Sequence, residues 1–362
     1  MAHSLDSKSK SAARGYAAAS EKAPLAPYSF ERRAPGPNDV EIGIAYCGIC
    51  HTDIHIARNE WGRTIYPVVP GHEIVGRVKS VGTAVTKFKP GDWAGVGCMV
   101  NSCRTCSRCQ RGQENYCERG STLTYNSMDA DGSVTYGGYS DHVVVNQDFV
   151  LRLSHSASQM AAVAPLLCAG ITTYSPLRHW GAGPGKKVGV IGLGGLGHMA
   201  VKLAHAMGAE VTLFTRSKGK VQDAQRLGAD ATVITNEAGA MEGQKGFDLI
   251  INTVAAAVDV NPYLEMLRSD GTLVLVGVPD RPLAVAGFPL IMGRRALAGS
   301  LIGGIAETQE MLDFCAKRGI VSDIEMIAVE QVNEAFDRVV KSDVRYRFVM
   351  DMSSLGNPAA RA

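Results

Sequence analysis

The sequence predicts an α/β protein in which a β-rich half is combined with a doubly wound parallel sheet. Up to about residue 150, short runs of alternating apolar and polar residues are bounded by glycine or proline, as in half-buried strands. From about Lys187 to Val276, apolar strands alternate with helical patterns, which is typical of repeated βαβ units. After about residue 300 the pattern is mixed again. A chain of 362 residues is long enough for two domains with separate cores.

The first half opens with a segment, MAHSLDSKSKSAARGYAAAS, that combines basic and small side chains without an apolar run. We interpret it as a frayed tail, because it resembles neither a signal peptide nor a membrane anchor. The strands predicted after this tail are Val40–Tyr46, Ile74–Val81 and Trp93–Val96.

The second half provides strands and crossover helices in alternation. The predicted strands are Lys187–Ile191, Val211–Thr215, Phe247–Asn252 and Thr272–Val276. The first predicted helix ends at Gly208, and its apolar face comprises Leu196, Ala200, Leu203 and Met207. The second ends at Gly228, and its apolar face comprises Val221, Ala224 and Leu227.

The composition argues against partners that bind through bulk charge. The chain is 46% hydrophobic and 20% charged, and a net charge of +2 gives no field that would gather nucleic acid or an anionic membrane. Nine cysteines is an odd number, which argues against a complete disulfide framework. We therefore expect a cytoplasmic enzyme with a small-molecule substrate.

Four cysteines in one short loop predict a structural zinc site. Their spacing is Cys-x2-Cys-x2-Cys-x7-Cys, which suits a tetrahedral metal, and the residues are Cys103, Cys106, Cys109 and Cys117. Four nearby arginines are expected to offset the negative charge of the thiolates: Arg104, Arg108, Arg111 and Arg119. The alternative is two disulfides or a redox pair, but no export signal precedes the loop and its context is polar.

A second metal constellation is suggested by Cys50, His72 and Cys168, since two cysteines and one histidine with an open position are a catalytic zinc set. No spacing rule links ligands this far apart. Each residue alone could be a buried thiol or a hydrogen-bonded histidine.

A nucleotide fingerprint follows the strand Lys187–Ile191 and precedes a helix. The motif is G-x-G-x-x-G, and its residues are Gly192, Leu193, Gly194, Gly195, Leu196 and Gly197. Bare backbone amides and the helix dipole can bind a pyrophosphate there. The alternative is that the glycines only allow close packing of strand and helix.

The end of the second strand of this domain indicates NADP rather than NAD. An NAD-binding domain carries a carboxylate there, whereas this chain has hydroxyl and basic residues, namely Thr215, Arg216, Ser217, Lys218 and Lys220. Guanidinium and ammonium groups can hold a 2′-phosphate. The alternative is a solvated basic turn.

Five motifs together resemble those of the medium-chain zinc alcohol dehydrogenases. Besides the cysteine loop they are CGICHTDIH (47–55), YPVVPGHEIVGRV (66–78), LLCAGITTYSPL (166–177) and IGLGGLGHM (191–199). The resemblance runs from about residue 12 to about residue 352 and is strongest to the cinnamyl-alcohol-dehydrogenase-like subgroup, which includes bacterial broad-specificity NADPH-dependent aldehyde reductases. It implies a GroES-like catalytic domain (1–161 and 299–362) with a structural-zinc lobe (98–120), a Rossmann NADP-binding domain (162–298), and a homodimer formed through the nucleotide domain.

The resemblance also implies roles for individual residues. It assigns Cys50, His72 and Cys168 to catalytic zinc, makes Glu73 a transient ligand, and makes Asp53 the carboxylate that orients His72. Thr52 and His55 form the implied proton path, although Thr52 could be a helix cap and His55 a surface histidine. The further implied cofactor contacts are His51, Thr172, Gly277, Val278, Ser300, Ile302 and Arg345. The implied substrate wall comprises Trp61, Met99 and Ile302. Each of these could instead be structural.

The chemistry implied by the resemblance is hydride transfer between NADP(H) and an alcohol/aldehyde pair, with two zinc ions per chain and aromatic or medium-chain aldehydes as substrates. A zinc-free quinone or enoyl reductase on the same scaffold is an alternative, but such relatives lack the three catalytic ligands. A non-enzymatic zinc module that binds a partner or nucleic acid is another, which the cofactor fingerprint opposes.

Overall fold

The computed structural model describes residues 10–355 and divides into two compact units. The first unit comprises the described residues up to Cys168 and those from Gly304 onward, and the second is Ala169–Gly303. The boundaries expected from the sequence, after residues 161 and 298, fall a few residues before these.

The first unit begins with short strands and few helices. In order, its elements up to Cys168 are β1 (Ser11–Ala17), β2 (Ala26–Arg32), β3 (Asp39–Gly48), α1 (His51–Ala57), β4 (Ile74–Val81), β5 (Trp93–Val96), β6 (Met99–Asn101), α2 (Ser107–Gln110), β7 (Thr122–Leu123), β8 (His142–Asn146), β9 (Leu151–Arg152) and α3 (Met160–Val163). Four 3₁₀ turns in this part are Glu114–Tyr116, Gln147–Phe149, Ala157–Gln159 and Ala164–Leu167.

The second unit alternates strands and helices. In order, its elements are α4 (Ala169–His179), β10 (Lys187–Ile191), α5 (Gly197–Ala206), β11 (Glu210–Thr215), α6 (Val221–Leu227), β12 (Ala231–Ile234), β13 (Phe247–Asn252), α7 (Asn261–Met266), β14 (Leu267–Leu275), α8 (Gly287–Gly293) and β15 (Ala296–Gly299). A 3₁₀ turn, Lys218–Lys220, precedes α6.

The chain then returns to the first unit. The elements of this last part are α9 (Ile305–Arg318), β16 (Ile324–Ala328), α10 (Val332–Val340) and β17 (Arg347–Asp351), with 3₁₀ turns at Val329–Gln331 and Met352–Ser354.

The main sheet of the first unit has, within residues 10–355, the strand order β16-β17-β3-β4-β5-β9, with β8 also paired to β3. The long strand β3 pairs antiparallel with β4, β8 and β17, so it is the hub of this sheet. Its inward residues Val40 and Ile42 are completely buried, as the alternating pattern predicts. The predicted strands β3, β4 and β5 are all confirmed.

The opening tail is where the sequence interpretation was wrong. Ser11–Ala17 does not fray but pairs along its whole length with Ala26–Arg32. The inward residues of β1 are small, and a Cβ on Gly15 would meet the Tyr139 carbonyl oxygen at 2.4 Å. Close backbone approach, rather than a run of large apolar side chains, therefore holds this strand, and hydrophobicity alone could not reveal it. Residues 1–9 of the predicted tail lie outside the described residues.

The second unit is the predicted doubly wound sheet. Its strands are all parallel, in the order β12-β11-β10-β13-β14-β15, which is the dinucleotide-binding order 3-2-1-4-5-6. Aromatic residues fill one part of its core, where Phe214 lies 5.5 Å from Phe247 and 5.2 Å from Tyr263 between ring centroids. The predicted end of α6 is confirmed, since Gly228 caps it with φ 106°.

No single helix in the described part of the chain is long and apolar enough to cross a membrane. Within residues 10–355, only the adjoining helical stretches Ala157–Leu167 and Ala169–His179 reach that length and apolarity, and they do so only when they are counted together.

Candidate functional site

The first zinc-ligand candidate, Cys50, lies between the end of β3 and the start of α1. Cys50 is the N-cap of α1, and its backbone N–H donates to Asp53 Oδ2 at 2.9 Å. The helix buries Ile54 and Ala57 against the first unit, which fixes its direction. The Cys50 thiol is therefore held by a capped, packed helix start.

The structure brings Cys50 together with three residues from distant parts of the chain. His72 and Glu73 lie just before β4, and Cys168 follows the turn Ala164–Leu167. One ligand atom from each of Cys50, His72, Glu73 and Cys168 lies within 4.8 Å of every other, and all four residues are buried. The sulfurs of Cys50 and Cys168 are 3.8 Å apart. The three predicted ligands thus converge, together with the predicted neighbour Glu73.

Asp53 organises this cluster. Its Oδ1 accepts the Gly71 backbone N–H at 3.1 Å and lies 3.3 Å from His72 Nδ1. Its Oδ2 accepts the Tyr139 hydroxyl at 3.0 Å in addition to the Cys50 N–H. With Nδ1 directed at a carboxylate, the opposite nitrogen of His72 is available as a ligand.

Glu73 is completely buried, and its two oxygens differ in their surroundings. Oε1 contacts Nη2 of Arg347, which is also buried, in a close ion pair. Oε2 has no hydrogen-bond partner among the described residues. A buried carboxylate oxygen without a partner costs about 1–3 kcal/mol, so its position beside two thiols and an imidazole fits a site built for a cation. Soft sulfur and imidazole donors in this number suit zinc.

Arg347 is a site residue that the sequence reasoning missed. The sequence prediction placed Arg345 at the pyrophosphate, and the structure has the Arg345 backbone N–H donating to Glu325 Oε1 at 2.9 Å. Two positions on, Arg347 begins β17 and reaches Glu73. The signal that could have found it is the buried carboxylate Glu73, which needs a cation.

The predicted proton path lies on the exposed side of α1. The ring of His55 stacks between two others, 4.7 Å from His51 and 4.9 Å from Trp61. Its Nδ1 contacts the Glu60 carboxylate. Thr52, one turn earlier on the same helix, is half-buried.

Glu60 is a second residue that the sequence reasoning missed. Trp61 was expected in the substrate wall, and it packs on His55 with 43% exposure.

The four-cysteine loop also converges. The sulfurs of Cys103, Cys106, Cys109 and Cys117 all lie within 4.8 Å of one another, between β6, α2 and the turn Glu114–Tyr116. Every cysteine of the chain falls in the described part and is a free thiol, so the disulfide alternative is not what the structure contains.

Backbone amides stabilise negative charge on one sulfur of this loop. Hydrogen bonds from the N–H groups of Thr105 and Cys106 lower the pKa of Cys103 to about 6. The arginines expected to offset the thiolates make other contacts: Arg104 with Asp148 and Asn101, Arg108 with Gln113, and Arg111 with Ser107. That these arginines offset the charge of the thiolates stays a prediction.

The glycine loop joins β10 to α5. Gly192 has φ 90°, and a Cβ on Gly197 would lie 2.0 Å from the Gly192 carbonyl oxygen, so both positions require glycine. Gly194 has open space on its Cβ side, which leaves its backbone accessible. Lys220 Nζ donates to the Leu193 carbonyl at 2.7 Å and ties the basic run to this loop.

The basic run follows β11. Thr215 is buried at the end of that strand and its Oγ1 accepts the Ser217 backbone N–H at 3.2 Å, while Arg216 and Ser217 are exposed. Lys218 pairs with Glu237 at 2.5 Å.

The remaining cofactor candidates of the second unit lie near the same edge of its sheet. Gly277 and Val278 follow β14, and Ser300 and Ile302 follow β15. The carboxyl ends of parallel strands are where such sheets bind ligands. Thr172 is buried on α4, and Met99, a substrate-wall candidate, is buried on β6 in the first unit.

Two family models match the chain. The model described as "Alcohol dehydrogenase GroES-like domain" matches residues 36–155, and the one described as "Zinc-binding dehydrogenase" matches residues 195–317.

Individual proteins match almost end to end. Aldehyde reductase YahK of Escherichia coli (strain K12) is 58% identical over 93% of this chain and 97% of its own. The structure of a cinnamyl alcohol dehydrogenase from Sorghum bicolor superposes with a TM-score of 0.91 at 48% identity, covering 95% of this chain and 98% of that one. A CAD from Helicobacter pylori, solved in complex with NADP(H), has a TM-score of 0.89 at 42% identity, with coverages of 95% and 99%.

Proposed function

Because this chain belongs to the zinc-binding, GroES-like alcohol dehydrogenases, we propose that it interconverts aldehydes and alcohols with NADP(H) as the hydride carrier. Aromatic and medium-chain aldehydes are the proposed substrates, since relatives named as an aldehyde reductase and a cinnamyl alcohol dehydrogenase match the chain over most of its length.

The buried cluster of Cys50, His72, Glu73 and Cys168 is the observation that carries this proposal. When bound, zinc supplies a Lewis acid for the substrate oxygen, and NADPH supplies the hydride. Cys50, His72 and Cys168 would hold the metal. Asp53 fixes the His72 ring through Nδ1, and Arg347 balances the charge of Glu73.

Proton transfer is proposed to use α1. Thr52 and His55 lie one helical turn apart, and the Glu60 carboxylate takes the Nδ1 side of His55. A carboxylate on Nδ1 holds the proton on that nitrogen and leaves Nε2 as a base. His55 can therefore accept a proton on the Thr52 side and release it to solvent.

Cofactor selection is proposed to rest on the basic run. The glycine loop presents bare amides to a pyrophosphate, and Arg216, Ser217 and Lys220 would hold a 2′-phosphate. No carboxylate occupies positions 215–220 to repel that phosphate. Lys220 is already directed at the loop by its bond to Leu193.

A second zinc ion is proposed for the four-cysteine loop. Four sulfurs within 4.8 Å leave no open position, which is the closed arrangement of structural sites. The loop would therefore contribute to stability rather than to chemistry.

A homodimer is proposed through the second unit. Strand β15 is the outer strand of its sheet, and the preceding helix α8 exposes large apolar side chains: Phe288 at 73%, Ile291 at 78% and Met292 at 68%. If β15 paired with β15 of a second copy about a twofold axis, its unpaired backbone groups would gain hydrogen bonds. The apolar side chains of α8 would be buried in the same interface.

The test uses metal analysis and NADPH absorbance. We expect two zinc ions per chain and a fall in NADPH absorbance with cinnamaldehyde or benzaldehyde. Cys50→Ala should abolish turnover yet leave a folded protein that binds NADPH, whereas Cys315→Ala, at a buried thiol on α9, should stay active. Full activity of Cys50→Ala would contradict the proposal, and metal-independent reduction of quinones would support the zinc-free alternative.

A further inference from the structure

A serine, a histidine and an aspartate form a hydrogen-bonded row in the first unit, apart from both metal clusters. The hydroxyl Oγ of Ser11 lies 2.9 Å from His142 Nε2. On the other side of the ring, His142 Nδ1 lies 2.7 Å from Asp141 Oδ1. When His142 carries its proton on Nδ1 and donates it to the Asp141 carboxylate, its Nε2 accepts a hydrogen bond from the Ser11 hydroxyl. A base activates a nucleophilic serine through this arrangement.

The backbone fixes this row in place. Ser11 begins β1, and His142 begins β8, so each is set by a strand rather than by a loose loop. Arg14 and Asp141 clamp the two segments: the Asp141 N–H donates to the Arg14 carbonyl at 3.0 Å, and the Arg14 N–H donates to Asp141 Oδ2 at 3.2 Å. The His142 side chain is only 6% exposed, while Ser11 is partly open to solvent.

Arg32 places a positive charge beside Ser11. It lies directly opposite Ser11 in the β1–β2 ladder, so the two side chains share a face. Its terminal nitrogens donate to the carbonyls of Tyr136 and Gly137 and to the Ser140 hydroxyl. Its Nε is buried and has no partner among residues 10–355. Burial lowers the pKa of Arg32 to about 10 against the opposing effect of Asp141, so the guanidinium stays charged at neutral pH.

An aromatic surface adjoins the same face. Phe30 and Tyr28 alternate with outward residues on β2, opposite the small residues Ala13 and Gly15. The rings of Phe30 and Tyr136 are 4.8 Å apart, and the Arg32 guanidinium lies 5.1 Å from the centre of the Phe30 ring. Phe30 and Tyr28 are half-buried, so they leave apolar area for an aryl group.

We propose that Ser11, His142 and Asp141 form a second catalytic site that hydrolyses small aryl esters without zinc or NADP. Ser11 Oγ bonds to the ester carbon as its proton passes to His142 Nε2, and that proton leaves with the aryloxide when the ester C–O bond breaks. Water then attacks the acyl-serine and gives its proton to Nε2, which returns it to Oγ as the carboxylic acid departs. Ester and water give acid and phenol, and the charge of the Arg32 guanidinium, on the same face of the ribbon as Ser11, stabilises the negative charge on the carbonyl oxygen.

The first test compares p-nitrophenyl acetate hydrolysis by the wild-type protein, Ser11→Ala and Ser29→Ala. Ser29 lies on the exposed, opposite face of the ribbon and is the matched control. Ser11→Ala should lower kcat/KM by about 100-fold or more, while Ser29→Ala should match the wild type. Both variants should keep their NADPH-dependent aldehyde reduction, so failure here is separable from failure of the proposed function. Equal ester hydrolysis by all three proteins would overturn the site, since a bound metal would act equally in each.

Two further measurements define the roles of the neighbours. Asp141→Asn should lower kcat while KM stays unchanged, because the carboxylate positions His142 and does not touch the ester. Phe30→Ala should raise KM for p-nitrophenyl acetate more than for an aliphatic ester. Peptide mapping of wild-type protein quenched during turnover should find the acetyl group on Ser11, and an acetyl group only on lysines would count against the proposal whatever the variants do.

Discussion

The carboxylate of Asp53 shows how one side chain can assemble a site from separate segments. It receives N–H groups from Cys50 and Gly71 and a hydroxyl from Tyr139, and it also faces His72. Each accepted bond to a charged group contributes about 1.5–3 kcal/mol. The geometry of the buried cluster is therefore largely set by hydrogen bonds within the protein itself.

Arg216 carries the first prediction at this scale. Arg216→Asp should raise the KM for NADPH far more than that for NADH, because the new carboxylate would repel the 2′-phosphate. A loss of kcat/KM by about 10-fold to 100-fold, or about 1.4–2.8 kcal/mol, is expected for NADPH. Steady-state kinetics with both cofactors measure it.

Arg226→Asp serves as the control, since Arg226 lies on α6 and pairs with Asp223. If Arg216→Asp raised the KM for NADPH and for NADH equally, a contact between Arg216 and the 2′-phosphate would be unsupported.

Asp39 provides a prediction about pH. Burial works to raise the pKa of this carboxyl, but the Arg33 guanidinium and the Gly36 N–H outweigh it, so the folded-state pKa lies below the usual value. Because the folded pKa is depressed, the stabilisation is present above the unfolded-state pKa of about 3.9 and is lost as pH falls through the folded value. Asp39→Asn should thus cost about 1–3 kcal/mol at pH 7 and progressively less below about pH 4.

Urea denaturation of wild-type and Asp39→Asn proteins across this pH range measures the difference. A difference in unfolding free energy that stays constant down to pH 3 would show that the charge of Asp39 is not what stabilises the fold.

Sequence reasoning at the residue scale reached the three predicted zinc ligands of the buried cluster but not the charge partner of Glu73. Cys50, His72 and Cys168 came from a family resemblance, because no local spacing rule joins them. Arg345 was expected at the cofactor, whereas Arg347 is the arginine paired with Glu73. One residue separates these arginines, and which arginine reaches the carboxylate depends on how β17 pairs with β3, a long-range register that local patterns do not contain.

At the scale of elements, the β10–α5 turn was predictable because its constraints are local. The requirement for glycine at Gly192 and Gly197 follows from a positive φ and a close backbone approach within six residues. The β1–β2 ribbon was not predictable in the same way. Its inward side chains are small, and its partner surface includes the Tyr139 backbone, far along the chain.

The four-cysteine loop gives a prediction about stability. Cys106→Ala should remove one zinc ion per chain and lower Tm, because a closed metal site contributes its binding free energy to folding. Zinc analysis and thermal unfolding measure both effects, with Cys315→Ala as the cysteine control. If Cys106→Ala kept its full metal content and its Tm, the division into catalytic and structural sites would be wrong.

At the scale of the whole molecule, the strand order of the second unit could be predicted from the sequence, whereas that of the first unit could not. The second unit is built from consecutive βαβ units, so its strand order follows from local patterns and the handedness rule. The first unit pairs β3 with β17, about three hundred residues later, and with β8. Such pairings cannot be read from periodicity, and the short strands β6, β7 and β9 carry too few residues for a pattern.

The apolar surface of α8 carries the prediction at this scale. Ile291→Glu should convert the proposed dimer into a monomer, because two charges would meet at a twofold interface without partners. Light scattering after size exclusion measures the mass. Met326→Glu, at a 46% exposed apolar residue on β16 in the first unit, should leave the mass unchanged. A wild-type monomer, or an Ile291→Glu dimer, would place the interface elsewhere or remove it.

The position of β17 has a consequence for biosynthesis. This strand lies inside the main sheet, between β16 and β3, yet it comes from the final described residues. On the ribosome, the nucleotide-binding segment is finished long before Arg347 is translated, so it can fold while the nascent chain is still growing. The sheet that supports the buried thiols can close only after β17 has been translated, and until then the Glu73 carboxylate lacks its counter-charge.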